Sequence, residues 1–83
     1  MDKREKILNG ITVIFRKELK DESLELNYQS SADSVEKWDS ISNVMLFTAI
    51  EEKFEVIFPV EFIFTAENVG DLCDFILNNS AVV

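Results

Sequence analysis

Apolar residues recur at helical spacing near both ends of the chain. Near the start, one apolar face predicts a helix over about residues 3–19. That face consists of Ile7, Ile11, Ile14 and Phe15. Near the end, a second apolar face predicts a helix over about residues 69–78. This helix begins after Asn68, a favoured N-cap, with Asp71 three residues further on.

The middle of the chain predicts a longer helix, from Ser40 to about Glu55. Asp39 or Ser40 is a favoured N-cap. Pro59 ends this region because a proline cannot continue a helix from inside. The apolar residues 56–58, just before the proline, fit an extended turn, and the sequence Val-Glu-Phe-Ile-Phe-Thr-Ala-Glu after it supplies one short helical turn.

A polar stretch over residues 20–37 joins the first two predicted helices. It has no sustained period and contains a Ser-Ser-Ala-Asp-Ser cluster typical of loops, so Leu24 and Leu26 are expected to hold it against the core. The pattern predicts an all-α fold, a small bundle of three main helices plus one short helix, with a long loop between the first and second helices. A chain of 83 residues has room for one core, so we expect a single domain over residues 1–83 with its core over about 3–78.

The middle helix has more apolar residues than one core face requires. At about 100° per residue, one side carries Asn43, Leu46, Phe47, Ile50 and Phe54. The other side carries Ile41, Val44, Met45 and Thr48, next to Glu51 and Glu52. Two interpretations of this second side are open. Its apolar residues pack under the long loop or are singly exposed, or they form a strip on which a partner docks.

Charge and residue content narrow the classes of function. The chain has 16 acidic and 8 basic residues, a formal net charge of −8. Nucleic acid and anionic lipid are therefore poor partners, and proteins with a basic patch are the expected ones. No histidine is present, which excludes a Ser-His-Asp or Cys-His arrangement and a histidine-based metal site. We expect no catalytic residues and no metal.

The single cysteine, Cys73, is interpreted as a small buried hydrophobe. A lone cysteine suits a reducing compartment, so we expect a cytoplasmic protein. No stretch approaches the length of a transmembrane span, and the apolar run near the start is broken by Asn9 and Gly10, unlike that of a signal peptide. We expect a monomer without membrane insertion, with dimerisation through the apolar strip left open.

Ser40 stands where the polar loop gives way to the apolar helix. One interpretation is that it caps the helix. The other is that it is a covalent attachment point. The N-terminus of a helix stabilises a phosphodiester through its free N–H groups and the positive end of the helix dipole. Trp38, two residues earlier, is expected to plug the core, although it could instead cover the attachment site.

Four segments, in order and at the right spacing, resemble the acyl carrier protein family. Residues 39–41, Asp-Ser-Ile, resemble the Asp-Ser-Leu (or Ile) that opens the family's second helix. Residues 51–54, Glu-Glu-Lys-Phe, resemble the Glu-Glu-x-Phe that ends it, and residues 57–59 resemble the Ile-Pro turn that comes next. Residues 68–76 resemble the opening of the last helix, where Val-Gly-Asp-Leu is common. The resemblance covers about residues 38–78.

The resemblance implies a carrier protein and not an enzyme. Ser40 would hold 4′-phosphopantetheine through a phosphodiester, installed from coenzyme A by a phosphopantetheinyl transferase that reads Asp39 and Ile41. The thiol of the arm would carry acyl intermediates as thioesters. The second helix would dock acyl-loading and acyl-transferring enzymes that have basic patches. Its docking residues would be Val44, Met45, Thr48, Glu51 and Glu52.

Other features leave alternatives open. Asp33-Ser34-Val35 also resembles the attachment motif, but Ser34 lies at the wrong distance from the Glu-Glu-x-Phe segment. The family's usual carboxylates early in the second helix are replaced here by Ser42, Asn43 and Met45. This departure favours a specialised pathway, such as polyketide, lipid-modification or polysaccharide-linked synthesis, over housekeeping fatty-acid synthesis. An aminoacyl or peptidyl carrier and an unmodified helical interaction module are the alternative functions.

Overall fold

The computed structural model describes residues 2–82, and within this range it contains four α-helices and no strand. The helices are α1 (Lys3–Glu18), α2 (Ser40–Phe54), α3 (Val60–Thr65) and α4 (Val69–Asn79). The predicted all-α bundle of three main helices and one short helix is confirmed, and each main helix begins at the predicted residue and ends within one residue of the predicted end. The protein is compact, with a radius of gyration of 11.6 Å.

Helix α1 begins and packs as its sequence pattern predicts. The Asp2 side chain caps it by accepting hydrogen bonds from the backbone N–H groups of Arg4 and Glu5. Its buried residues are Ile7, Ile11, Ile14 and Phe15. This face lies against both α2 and α4, so α1 is the element on which the other two long helices are assembled.

Gly10 is required by the contact between α1 and α2. A Cβ atom at this position would lie 2.8 Å from Cζ of Phe54, closer than real Cβ contacts come. From the sequence alone Gly10 only lowers helix propensity. The structure shows that its missing side chain lets the end of α2 approach α1.

The end of α2 is held by a network around Glu51. Glu55 adopts a left-handed conformation with φ of 52°, and the N–H of Val56 donates to the carbonyl of Glu51. The Glu51 carboxylate accepts a hydrogen bond from the N–H of Phe58 at 2.8 Å. The segment before Pro59 is therefore an extended turn, as predicted, and α3 starts directly after the proline.

The long loop between α1 and α2 is anchored to the core and to α4. Leu24 and Leu26 pack against the core, as predicted. The carbonyls of Tyr28 and Ser30 accept hydrogen bonds from the first N–H groups of α4, those of Gly70 and Val69, at 2.8 Å each. These are N–H groups that a helix cannot bond internally, so the loop also caps the last helix.

Four phenylalanine rings fill the space where α2, α3 and α4 meet. Phe58 lies at the centre, with ring centroids 4.9 Å from Phe47, 5.4 Å from Phe62 and 4.9 Å from Phe75. Edge-to-face and offset contacts of this kind add to the hydrophobic effect. Cys73 is fully buried next to this region in α4, as predicted, and burial raises the pKa of its thiol to about 11.

Candidate attachment site at the start of helix α2

Asp39, and not Ser40, caps helix α2. The Asp39 carboxylate accepts hydrogen bonds from the backbone N–H groups of Ile41 at 3.0 Å and Ser42 at 2.9 Å. In return, the Ser42 hydroxyl accepts from the Asp39 N–H at 2.9 Å and donates to the carbonyl of Lys37. This is a capping box in which serine stands in the place usually taken by glutamate or glutamine.

The hydroxyl of Ser40 is left unused by this cap. Ser40 is the first residue of α2 and its side chain is exposed. Among residues 2–82 its hydroxyl makes no hydrogen bond, so the interpretation of Ser40 as a helix cap is wrong. An exposed, unbonded hydroxyl on a rigid helix end can be reached and modified without loss of any contact that the fold depends on.

The electrostatics of the site differ from those expected from the sequence. Two of the N–H groups that were expected to stabilise a phosphodiester are bonded to Asp39 instead. The backbone N–H of Ser42 is the main reason that the pKa of the Asp39 carboxyl lies below its usual value, and the N–H of Ile41 adds to this effect against the opposing effect of burial. Because Asp39 stays ionised at neutral pH, its carboxylate would repel a second anion attached to Ser40.

A cleft of about 300 Å³ opens beside Ser40, between the long loop, α2 and α3. Trp38 and Asn43 line it from one side, and Ile63 and Phe64 from the other. Trp38 is buried and its ring meets that of Phe15 edge-on, with centroids 4.9 Å apart, so it plugs the core as predicted. It also lines the cleft, but the side chain of Ser40 is exposed, so Trp38 does not cover it.

A larger concavity lies elsewhere on the surface. It has a volume of about 890 Å³, is lined by basic residues near the end of α1, Arg16, Lys17 and Lys20 among them, and shares no lining residue with the cleft at Ser40. Size alone therefore does not locate the candidate site.

Ser34, in the other Asp-Ser pair, has a different environment. Its hydroxyl accepts a hydrogen bond from the N–H of Ser31 at 2.8 Å and donates to the carbonyl of the same residue at 3.0 Å. Both bonds close a turn in the long loop. Modification of this hydroxyl would remove its donated bond, although backbone bonds to the Ser31 carbonyl also close the turn. The hydroxyl of Ser34 is thus part of the local structure and that of Ser40 is not.

The second side of α2 is exposed along its length. The exposed fractions are 76% for Ile41, 57% for Val44 and 48% for Met45. These residues therefore do not pack under the long loop. Thr48 and Glu52 are exposed as well. Together we call Ile41, Val44, Met45, Thr48 and Glu52 the α2 strip.

Glu51 differs from the α2 strip because its carboxylate is used inside the protein. It is half-buried and holds the turn after α2 through the N–H of Phe58. Sequence reasoning also missed Phe64, which is 77% exposed and lines the cleft beside Ser40. A six-residue helix with several large apolar residues, α3, was the signal, since so short a helix cannot bury all of them.

The residues present fit a covalently attached prosthetic group. The unbonded hydroxyl of Ser40 supplies an attachment atom, and the neighbouring cleft offers both polar and apolar walls. Within residues 2–82 there is no cluster of three or more metal-ligating side chains. In the same part of the chain, no helix is long and apolar enough to cross a membrane.

Comparison with known proteins shows the family to which the chain belongs. The family model described as "Phosphopantetheine attachment site" matches residues 9–76. The fold is similar to the solution NMR structure of the holo acyl carrier protein from Geobacter metallireducens, with a TM-score of 0.80 and 32% sequence identity over 87% of this chain and 83% of that one. A search of curated proteins found no match. The chain belongs to the acyl carrier protein family, whose members are carriers with a covalently attached phosphopantetheine group and not enzymes.

Proposed function

We propose that the protein carries acyl intermediates on a phosphopantetheine arm attached to Ser40. The observation that supports this site is the hydroxyl of Ser40, which is exposed at the first residue of α2 and makes no hydrogen bond among the described residues. When bound, the arm supplies a terminal thiol that carries an acyl group as a thioester. The protein itself supplies a rigid, acidic body for that arm.

Attachment uses coenzyme A as the donor. The Ser40 oxygen attacks the phosphorus next to pantetheine, and an O–P bond forms while the P–O bond of the pyrophosphate breaks. The 3′,5′-diphosphate of adenosine leaves, and the hydroxyl proton passes to a base of the phosphopantetheinyl transferase. The cap bonds of Asp39 to Ile41 and Ser42 do not involve the Ser40 hydroxyl, so Ser40 can react without breaking them.

Recognition by partners is assigned to the residues around Ser40. The transferase reads Asp39 and Ile41, which flank the reacting serine. Val44, Met45, Thr48 and Glu52 offer an exposed apolar surface with a carboxylate at its edge, which suits enzymes with a basic rim around an apolar patch. Glu51 contributes its negative charge to this surface, although one of its oxygens is bonded internally.

The proposed setting is a fatty-acid, polyketide or other specialised biosynthetic pathway in the cytoplasm, with the protein acting as a monomer. The replacement of the usual acidic residues early in α2 by Ser42, Asn43 and Met45 supports a specialised pathway. The structure gives a reason for two of these residues, because Ser42 completes the capping box and Asn43 bonds to the indole of Trp38.

The deciding experiment measures the intact mass of the purified protein before and after incubation with coenzyme A and a phosphopantetheinyl transferase of broad specificity. We expect a gain of one phosphopantetheine, located on Ser40 by fragmentation. A gain on Ser34 would keep the carrier function and disprove the site. No gain with a transferase that modifies a control carrier, together with full function of Ser40→Ala in the cell, would favour the unmodified interaction module.

A further inference from the structure

A hydrogen-bonded bridge crosses the inner wall of the cleft beside Ser40. The indole N–H of Trp38 donates to Oδ1 of Asn43 at 2.7 Å, and the Asn43 amide nitrogen donates to the carbonyl of Ile63 at 3.4 Å. Asn43 lies one helical turn after Ser40, on the side of α2 that faces the cleft. One side chain therefore ties the end of the long loop, α2 and α3 together.

The groups at both ends of this bridge, the indole N–H of Trp38 and the carbonyl of Ile63, depend on Asn43 for a hydrogen-bond partner. Trp38 is only 8% exposed and is held edge-on against Phe15, so its N–H has little access to water. The carbonyl of Ile63 belongs to the last turn of α3, where carbonyls have no partner inside the helix. If Asn43 moved away, an indole donor and a backbone acceptor would both lose their partner at the edge of the core.

The region behind the bridge is already filled. Phe47, Phe58, Phe62 and Phe75 occupy the space between α2, α3 and α4, with neighbouring centroids 4.8 to 5.4 Å apart. An alkyl chain that entered from Ser40 would have to separate these rings, and the bridge prevents this by holding α3 against α2. A short acyl group that enters only the cleft can do so without opening the bridge or moving the rings.

Asn43 is placed to control how deeply a cargo on Ser40 can enter the protein. Resting on the proposed attachment of the arm to Ser40, we propose that Asn43, bonded to Trp38 and Ile63, closes the core to the cargo. This carrier then transports short acyl groups that stay in the cleft or in solvent. Longer alkyl chains on the arm are not sheltered between the helices. Asn43 is the residue that sets how much of the cargo the protein can hide from water.

The size and chemistry of the cleft agree with this assignment. Its volume of about 300 Å³ lies at the lower end of the ~300–1,000 Å³ of small-molecule sites. Ser31, Asp33 and Glu67 give its rim hydroxyl and carboxylate groups. A short acyl group with a polar substituent matches this rim better than a long alkyl chain does.

The test loads the intact protein with two cargoes of different length. A transferase is supplied with acetyl-coenzyme A or octanoyl-coenzyme A, and intact mass confirms loading. Two quantities are then measured, the rate at which hydroxylamine cleaves each thioester and the NMR resonance of the indole N–H. Trp38 is the single tryptophan of the chain, so its indole N–H gives one resonance that identifies the donor of the bridge.

For the natural sequence, we expect equal cleavage rates of the two thioesters once each is divided by the rate for the same acyl-coenzyme A, and an indole resonance that does not depend on chain length. In Asn43→Ala, the octanoyl thioester should be cleaved about tenfold more slowly than the acetyl thioester, the ratio expected when a group is exposed for about a tenth of the time. Its indole resonance should also shift before any loading. Asn78→Ala, the same change on the exposed part of α4, should behave as the natural sequence.

A second variant tests whether the effect of Asn43→Ala comes from the loss of the bridge or from a general loss of structure. Trp38→Phe keeps an aromatic ring against Phe15. It removes the N–H donor together with one of the two fused rings, so it should also slow the cleavage of the octanoyl thioester selectively. Slow cleavage of the octanoyl thioester in the natural sequence would overturn the proposal, as would equal cleavage rates in both bridge variants.

The two proposals fail in different ways. If Ser40 accepts no phosphopantetheine, the proposed function itself is wrong and intact mass shows it. If Ser40 is loaded and the octanoyl group is sheltered in the natural sequence, the carrier function stands and only the role of Asn43 is wrong.

Discussion

The two Asp-Ser pairs of this chain have the same side chains and opposite hydrogen bonding. In the pair at residues 33–34, the serine hydroxyl makes two bonds that close a turn. In the pair at residues 39–40, the aspartate and Ser42 make all of the capping bonds, and the serine between them makes none. The difference shows that a serine becomes available for modification when its neighbours complete the local structure without it.

The largest expected difference between the two pairs is in modification. Ser40→Ala should abolish the gain of phosphopantetheine completely, because the attachment oxygen is removed, whereas Ser34→Ala should leave it unchanged. Intact mass after incubation with coenzyme A and transferase measures both. A protein that is still modified after Ser40→Ala, or that loses modification after Ser34→Ala, would reverse the assignment of the two serines.

The next effect concerns the residue that leaves Ser40 unbonded. Ser42→Ala removes the partner of the Asp39 N–H and of the Lys37 carbonyl. We expect the free energy of unfolding to fall by about 1 kcal/mol, as is typical for the loss of a capping bond. Urea unfolding followed by circular dichroism measures this. Ser42→Thr, which keeps the hydroxyl, is the matched control and should recover most of the loss.

A smaller effect concerns the free energy of unfolding. Here Ser34→Ala should have the larger effect and Ser40→Ala the smaller, the reverse of their effects on modification. Ser34→Ala removes two turn bonds and should lower the free energy of unfolding by about 0.5–1 kcal/mol. Ser40→Ala removes no bond within the described residues, so its effect should stay within about 0.5 kcal/mol. The same urea titration compares them. Equal destabilisation by both changes would mean that the Ser40 hydroxyl also supports the fold.

The smallest effect is confined to acid pH. The pKa of Asp39 is lower in the folded protein, mainly through the Ser42 N–H, than the value of about 3.9 for a free aspartate. Its contribution to stability is therefore present above the unfolded pKa and is lost as the pH falls through the folded pKa.

Asp39→Asn should accordingly lower the melting temperature at neutral pH and make little difference at the acid end. Thermal unfolding between about pH 2 and pH 7, a range that spans the pKa of a free aspartate, measures the gap in melting temperature between the natural sequence and Asp39→Asn. A gap that did not narrow with acidification would show that the carboxylate charge does not strengthen the cap.

Much of the fold could be predicted from the sequence because its signals are local. Helix starts depend on a capping residue and the few residues after it, which is why Asn68 was located correctly as a cap and Asp39 was one of the two residues considered for α2. The apolar face of α1 repeats at a regular helical spacing. The candidate attachment serine, Ser40, was predicted from the resemblance of a short motif, at a fixed distance from a second one, to the family's pattern.

The remaining features depend on contacts between distant residues and have no local signal. Gly10 is explained only by its approach to Phe54. The inward bond of Glu51 depends on the backbone of Phe58 after the turn, and the bridge through Asn43 joins Trp38 to α3. A pattern of polar and apolar residues cannot distinguish a carboxylate that faces a partner from one that closes a turn.

The burial of Cys73 has a consequence for the selectivity of thiol chemistry. With a pKa of about 11 and no exposed surface, this sulfur is almost entirely protonated and shielded at neutral pH. A thioester on the arm can be lost by exchange with any accessible thiolate. Because the chain has no other cysteine, the arm's own sulfur is the one nucleophilic thiol that oxidants, electrophiles and acyl donors meet on this protein.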